Sequence, residues 1–588
     1  MRASTTFLGA AAALFLVAGA ARAADPVAME LDGLRVVRDR SLPTFGLTVT
    51  VHNIGPEERE LSVREVRLLD GEKVLQRLTL EARVPGLGRD WARLQPLLAL
   101  PHDEVSLYLD DREAAALFEK AERTQVEVLV PFVTRAFVPR FVPGATLVGT
   151  VEVDYEYGGS LGTLTDHIDV DLEELLPPLV PPVGAPVARL FLGDTHVHSA
   201  YTDCDAPFRG RYPIAPFTYN PKDEGDDLTA LYKAAGLQWF NLSDHCYCVN
   251  QDEFADQSGI AANVSSSSFL IIPGLEMSAR EKIEVSFQCV TNGHDTAHFN
   301  GIGLLPSDSL FAFEKRGERF ACDADAPVRK ADAPFIQEAA SLLRLSSNSL
   351  RGAVSLNHPG GTALSGLAEP WNLNEAAFAC VDAPPETGME IINSRWDNPQ
   401  DGESVDHWAR RRLLKGLRVA AYGGSDVHKK KEDIGVTFTG VFADSLDRGV
   451  ARSVEDGLRR GRTFASTGPL LAEWARPAGA PTWTEMGDTR LLTAGTDVEV
   501  HVAFASGARL VDVCLIQGRV GDAEEQQVPG SCQVQVSGSG HYVVTLPALP
   551  AGLYYVRAEA IGWKERRGEL VPDDSLRAFA TPVWLSVH

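Results

Sequence analysis

The chain is short of positive charge. Its 588 residues include 55 lysines and arginines against 80 aspartates and glutamates, a formal net charge of −25. Binding to a nucleic-acid backbone or an anionic membrane surface needs a basic face, so neither partner is expected. A small anionic substrate stays open, because a metal site overrides the global field locally. Long hydrophobic runs are also scarce. After the first residues no stretch approaches the ~20 apolar residues of a membrane span, so stable membrane insertion is not expected. Internal repeats are absent, and low complexity is confined to the serines at 265–268. With 44% hydrophobic and 23% charged residues, the composition is that of globular protein rather than of a disordered chain. The length is too great for one core, and about three or four domains are expected.

The opening stretch, "MRASTTFLGAAAALFLVAGAARAADP", reads as a targeting segment. Arg2 supplies the positive start, residues 7–19 the apolar run, and Ala21-Arg22-Ala23 the small-residue cleavage signal. Cleavage is expected after Ala23, so residues 1–23 form a signal peptide. The apolar run is shorter than a span, and no cysteine follows the cut to carry a lipid. The reading is an exported protein, periplasmic or extracellular. In such a compartment the eight cysteines can form disulfides. Cys514 and Cys532 lie in neighbouring predicted strands and are the expected pair. Cys204, Cys246 and Cys248 could tie two loops together. The single residue between Cys246 and Cys248 is tighter than the usual zinc-binding spacing, which favours a disulfide or free thiols there.

Three textures divide the chain. Residues 24–174 alternate apolar and polar positions in "FGLTVTVHN", "LSVREVRLLD" and "GATLVGTVEVDYEYG", the pattern of an immunoglobulin-like β-sandwich. "DDREAAALFEKAER" (110–123) is one helix expected within it. Residues 175–187, "LLPPLVPPVGAPV", are a stiff proline-rich linker. From 188 to 475 short apolar runs alternate with helical segments at 226–237, 335–347 and 405–417, the signal of β/α units. Residues 476–588 return to strands such as "DVEVHVAFASG" and "LYYVRAEAIG" and read as a second β-sandwich.

The chemistry sits in the middle region, at the ends of its apolar runs. "VARLFLGDTHVH" ends at His196 and His198, with Asp203 close behind. "LQWFNLSDH" ends at Asp244 and His245, and "FLIIPGLEMS" near Glu276. "AVSLNHPGG" ends at His358, "GMEIINSRW" at Asn393 and Arg395, and "LRVAAYGGSDVH" at Asp426 and His428. "HFNGIGLL" is irregular: His298 stands at its start, and His294 four residues upstream is a substitute. Each motif alone is ordinary. A His-x-His pair is often exposed polar surface, Asp244 could cap a helix, Glu276 could be a solvated acid, and His358 before Pro359 could be a turn residue. Joint placement at strand ends is different. Strand ends far apart in sequence meet around one axis in a β/α barrel, and a ring of imidazole and carboxylate suits Zn²⁺, Mn²⁺ or Fe²⁺. His52, His102, His167, His501 and His541 fall in the sandwich regions, and His407 in a helical segment; these read as structural or surface residues.

In this order, "DTHVHSAYTD", "LSDH", "PGLE", "HFNGIGL", "NHP" and "GGSDVH" resemble the PHP (polymerase and histidinol phosphatase) superfamily of metallohydrolases. "VEDGLRRGRTFASTGPLL" (454–471) and the β-region after it resemble the CehA/McbA-like branch. The resemblance covers about residues 188–475. It implies a distorted (β/α)7 barrel, and with the strand patterns on either side the expected fold is multidomain, α/β plus all-β: that barrel flanked by N-terminal and C-terminal β-sandwich domains. It also implies two or three divalent metal ions. By motif, one takes His196, His198, Glu276 and Asp426. A second shares Glu276 and takes His298 and His358. A third takes Asp203, His245 and His428; Asp203 stands where many members have histidine.

Paired dications lower the pKa of a bridging water toward neutrality, giving a hydroxide nucleophile. The third metal, or His245 or His428 in its absence, could then serve the leaving group, and Arg395 could either clamp an anionic group or form a surface salt bridge. Lys429, Lys430 and Lys431 form a basic run beside the site, either attracting an anion or simply solvated. The expected function is hydrolysis of a small, anionic phosphoester. The alternatives are hydrolysis of a carboxylester, carbamate or amide by the same centre, and a non-catalytic surface-binding protein. A carbamate or aryl-ester pocket would be aromatic, for instance from Tyr201, Tyr219, Trp371 and Trp396. Oligomeric state is not readable from the sequence.

Overall fold

The computed structural model describes residues 26–38, 44–53, 59–86, 124–133, 146–173, 175–186, 188–202, 214, 227–245, 249, 251–280, 296–305, 352–358, 387–393, 404–428, 431–566 and 569–588. The signal peptide, the helices expected at 110–123 and 335–347, His102, Asp203, His294, Arg395, Lys429, Lys430 and the cysteines outside the C-terminal region lie outside the described residues.

The N-terminal region is two packed sheets. Thr44–Asn53 lies between Val27–Asp32 and Gln125–Val133, all antiparallel. The second sheet runs Val36–Val37, Ser160–Leu172, Thr146–Tyr157, Leu61–Asp70 and Lys73–Val84. Period-two alternation sends Leu47, Val49 and Val51 into a shared core with Val63, Val66, Val151 and Val153. Thr48, on the opposite face of the same strand, is also buried. That second burial reflects packing against the middle region. Here Arg38 donates to the carbonyls of Ala235 (3.0 Å) and Gly435 (2.9 Å) and pairs with Glu173 at 2.6 Å.

The middle region departs from expectation. A distorted (β/α)7 barrel calls for parallel strands alternating with helices, but strands dominate the described residues. The helices among them are Leu228–Ala234, Gln251–Val264, Val454–Arg460 and, where one was expected at 405–417, a stretch that is α at 404–407 and continues as π- and 3-10 helix through Trp408–Arg412 and Leu413–Lys415. The strands fall into two sheets. In one, Arg189–Val197, Trp239–Leu242 and Leu270–Ile272 are parallel, and Phe438–Ala443 and then Thr463–Ser466 add antiparallel. In the other, Gly274–Arg280, Thr296–Ile302 and Ala353–Leu356 are antiparallel neighbours, and Gly388–Asn393 and Ala420–Gly424 continue in parallel. Apolar runs predict strands but not their direction, and only parallel neighbours require a helical crossover. Two isolated parallel bridges, Val197↔Val427 and His245↔Glu276, join the sheets at one end.

The flanking sandwich character holds. In the C-terminal region the long Val498–Arg519 strand pairs first with Leu470–Pro477 and Gln533–Leu546, then with Gly552–Arg566. The exchange falls at a register shift around Gly507, whose φ of +60° suits glycine. This region is not set apart from the middle one: Phe464, Ala465 and Ser466 pair with Ala580, Phe579 and Ala578. The boundary expected at 475/476 falls inside the Leu470–Pro477 strand. The proline-rich linker carries no helix or strand among its described residues. It packs along the C-terminal region, where the Trp483 indole donates to the carbonyl of Val183 at 3.2 Å. Cys514 and Cys532 are bonded, as expected from their strands.

The Cys514–Cys532 bridge closes a loop with a sequence separation of 18. The double variant Cys514→Ser/Cys532→Ser is expected to lose about 2–4 kcal/mol of unfolding free energy. The check is the denaturant midpoint of the variant against wild type; coincident midpoints would refute it.

Candidate metal centre

Each side chain of the site is delivered near one terminus of a strand. Arg189–Val197 carries His196 and, one residue past its end, His198. His245 follows Trp239–Leu242, and Glu276 lies in Gly274–Arg280. His358 lies just past Ala353–Leu356, and Asp426 and His428 just past Ala420–Gly424. His298 explains its own irregularity. Its strand, Thr296–Ile302, runs opposite to both neighbours, so its beginning lies where their ends do.

The convergence is tight. His196 Nε2 lies 3.1 Å from His198 Nε2, 3.2 Å from Asp426 Oδ1 and 3.3 Å from Glu276 Oε1. His245 Nδ1 is 2.9 Å from Glu276 Oε2, and His298 Nδ1 is 3.1 Å from Glu276 Oε1. His358 Nε2 approaches the same carboxylate at 3.6 Å, and His428 Nε2 lies 3.4 Å from His245 Nε2. Three groups hold their ligand atoms within 4.8 Å of one another: His196 with His198 and Asp426; Glu276 with His298 and His358; and His198 with His245 and His428. Eight of the nine expected ligands therefore meet, and the ninth, Asp203, lies outside the described residues. His407 and His501 belong to none of these groups.

The donor set fits a divalent cation. Ligands ~2.0–2.2 Å from a common zinc-like centre in tetrahedral array stand ~3.4 Å apart, close to the N···N and N···O separations found. Two imidazole nitrogens facing each other at 3.1 Å share at most one proton, and a cation between them removes the lone-pair repulsion. The electrostatics prepare the same state. Burial opposes charge on Glu276 and Asp426, yet the surrounding histidines hold both carboxyls well below the usual range. Burial, with the neighbouring imidazoles, pushes His198 well down and His428 down to about 4. Carboxylates charged and imidazoles neutral are the forms that bind metal. His196 and His358 go the other way: burial disfavours their cations, but facing carboxylates outweigh it.

Two of these residues have unusual backbones. Asp426 has φ +53° and His358 has φ +27°, the left-handed side that non-glycine residues seldom adopt. Such conformations cost of order 1–3 kcal/mol and persist where the surroundings impose them. For Asp426 the backbone N–H donates to the carbonyl of His196 at 3.0 Å, fixing the turn. For His358 the backbone N–H donates to Glu390 Oε2 at 2.9 Å.

Glu390 escaped the sequence reading, which took Asn393 and Arg395 from the same run. Its carboxylate is buried, 3.2 Å from His196 Nδ1, and also accepts from Asn393 Nδ2 at 3.0 Å. It therefore fixes which His196 nitrogen faces the cluster. The hint was available: with apolar Met389 and Ile391 on either side, an acid in a buried run needs a partner. Asp244 is neither a helix cap nor a member of the metal-binding groups. Buried, it accepts from the Ser199 backbone and hydroxyl at 2.6 Å each, and from Thr202 and Gln257, so it braces the His198 loop. Asp194 does the same beneath His196: it accepts from Tyr232 at 2.8 Å and from the backbones of His196 and Ser425. Asn357 Nδ2 donates to Glu276 Oε1 at 2.9 Å. Lys431 points away from the site into the N-terminal sandwich, so it is neither an anion-attracting nor a solvated lysine. Tyr201 donates to Asp256.

Glu390→Gln is expected to weaken divalent-ion binding about 10–100-fold, the usual effect of removing a carboxylate behind a ligating histidine. Calorimetric titration with Zn²⁺ reads it, and unchanged affinity in a folded variant would refute the role.

No family profile matches this chain, and no curated protein does. Among solved structures, the C-terminal domain of wzt is similar over 21% of this chain and 77% of that one, at 13% identity and a TM-score of 0.16. A calcium-binding mutant of Bacteroides uniformis β-glucuronidase 2 aligns over 96% of this chain and 61% of its own length, at 10% identity and a TM-score of 0.17. A glycosyl hydrolase family 2 member from Bacteroides cellulosilyticus aligns over 95% and 79%, at 9% identity and a TM-score of 0.17. Scores this low carry no weight for fold or function, and the site must be judged on its own chemistry.

Proposed function

We propose that this chain is an exported, metal-dependent hydrolase of small anionic esters, with phosphoesters as the first substrate class. The observation that carries the reading is the convergence of eight histidines and carboxylates at metal-ligand spacing from separate strand ends. The motif order that resembles the PHP superfamily supports it; the likeness lies in the order of ligands, not in a barrel. The Cys514–Cys532 disulfide supports an oxidising compartment.

Glu276, His298 and His358 would hold one ion, and His196, His198 and Asp426 a second. The third group reuses His198, so two ions are what the described donors hold independently. A third ion would draw on His245, His428 and Asp203. The donor mixture suits zinc, manganese or iron. When bound, such ions supply Lewis acidity toward a phosphoryl or carbonyl oxygen. Glu276 stays anionic between the two groups, and Glu390, Asp194 and Asp244 keep the imidazoles in orientation. His428 is only partly buried and is placed to exchange a proton with a leaving group. The strand ends exclude water from His196 and His198, which are fully buried.

Purified protein is expected to contain two or three equivalents of transition metal by elemental analysis. It is expected to hydrolyse p-nitrophenyl phosphate or bis(p-nitrophenyl) phosphate, with activity lost to a chelator and restored by Zn²⁺ or Mn²⁺. Glu276→Gln is expected to lose about a hundredfold or more, the scale of removing one preorganised stabilising group. Turnover of carboxylesters or carbamates alone would move the substrate class. Bound metal with no turnover on any ester would replace the hydrolase by a binding protein.

A further inference from the structure

We propose that the N-terminal β-sandwich is a working part of the metal centre, with Lys431 as the residue through which it positions Asp426 and His428. The proposal rests on the metal-centre reading above. Lys431 follows His428 by three residues and is fully buried. Its ammonium group donates to Thr48 Oγ1 at 2.9 Å and to the carbonyl of Gly46 at 3.2 Å, both on the central strand of the three-stranded sheet. Its backbone N–H donates to Asp32 Oδ1 at 2.6 Å, on the neighbouring strand.

The grip extends along the segment. Arg35 pairs with Glu432 at 2.9 Å, and Arg38 donates to the carbonyl of Gly435 at 2.9 Å. Arg38 is itself held by Glu173, whose carboxyl stays charged because Arg38 and Arg509 outweigh the effect of burial. Residues 431–435 are thus fixed by Asp32, Arg35, Arg38, Gly46 and Thr48 together.

The ligand loop is therefore anchored at both ends. At its start, Asp426 N–H donates to the carbonyl of His196, and His198 N–H to that of Val427. At its end stands the Lys431 grip. Between the anchors, Asp426 holds its positive φ and His428 Nδ1 stays 3.0 Å from the Asp426 carbonyl. Few residues separate the anchors, so a shift of Lys431 is transmitted to both ligands. A lysine whose only purpose was solubility would not be taken into a sandwich interface, where burying an ammonium is costly unless its hydrogen bonds are met. Glu276, His298 and His358 are carried on or just past strands of the five-stranded sheet.

The test compares full-length wild type with Lys431→Met, which keeps the length of the side chain and removes its donors. Metal-free protein is titrated with Co²⁺, and the visible absorption is recorded. One cobalt equivalent is expected to bind about tenfold more weakly in the variant, with an altered spectrum, and another to bind as in wild type. Thr48→Val, which removes one partner and leaves the lysine, is expected to shift the same equivalent in the same direction by less; it carries the test should Lys431→Met fail to fold. Val49→Ala, a core truncation in the same strand, is the control: it is expected to lower the thermal midpoint and leave cobalt affinity intact. Unchanged cobalt affinity and spectrum in Lys431→Met and Thr48→Val would overturn the positioning role, as would an equal loss in Val49→Ala. Wild type that takes up no cobalt overturns the metal-centre reading, and this role with it. Wild type that binds cobalt beside unaffected variants overturns the positioning role alone.

Discussion

The arrangement turns on one buried carboxylate. Glu276 is almost wholly inaccessible, yet His196, His198, His245, His298 and His358 all approach its oxygens within 3.6 Å. A carboxylate taken out of water is strongly destabilised unless cations or hydrogen-bond donors surround it. The fold meets that requirement with imidazoles from four separate strand ends and with the Asn357 amide. Two of those groups, His196 and His198, are in turn braced. Glu390 stands behind His196, Asp194 beneath it, and Asp244 behind the loop of His198. A centre so arranged keeps its geometry through carboxylates that do not themselves join the metal-binding groups, as metal sites commonly do.

The two sheets gather the residues that a β/α barrel was expected to gather. They meet at both edge strands of the five-stranded sheet, through the Val197↔Val427 and His245↔Glu276 bridges. The antiparallel excursion of Thr296–Ile302 lets a strand begin at the site rather than end there. The same sheets continue into the C-terminal strands through Thr463–Ser466. The N-terminal sandwich closes over the back through Arg38 and Lys431. The three textures visible in the sequence are therefore not three independent bodies. They share hydrogen bonds, and those nearest the ligands come from all but the last.

Much of the site was legible because its chemistry is local. A histidine or acid directly after an apolar run is visible at His196, His198, His245, Glu276, His358, Asp426 and His428 without knowledge of how the strands pair. His298 was visible too, and its placement at the start of its run already encoded the reversed strand. Glu390 was not picked out, because one acid within an apolar run looks the same whether it faces a histidine or a cavity. Lys431 was read as part of a basic surface run. Nothing local distinguishes a solvated lysine from one whose partners, Gly46 and Thr48, lie nearly four hundred residues away.

The sequence by itself determined the β-rich flanks, the Cys514–Cys532 pair, the proline-rich stretch without helix or strand among its described residues, and eight residues that gather at the candidate metal centre. These depend on period-two alternation, proline content and side-chain chemistry, all of which are written along the chain. Strand direction, sheet order and the positions of Glu390 and Lys431 were decided only in the tertiary structure. Apolar periodicity is the same for parallel and antiparallel strands, and long-range pairing is chosen by which arrangement satisfies buried charge and backbone hydrogen bonds together.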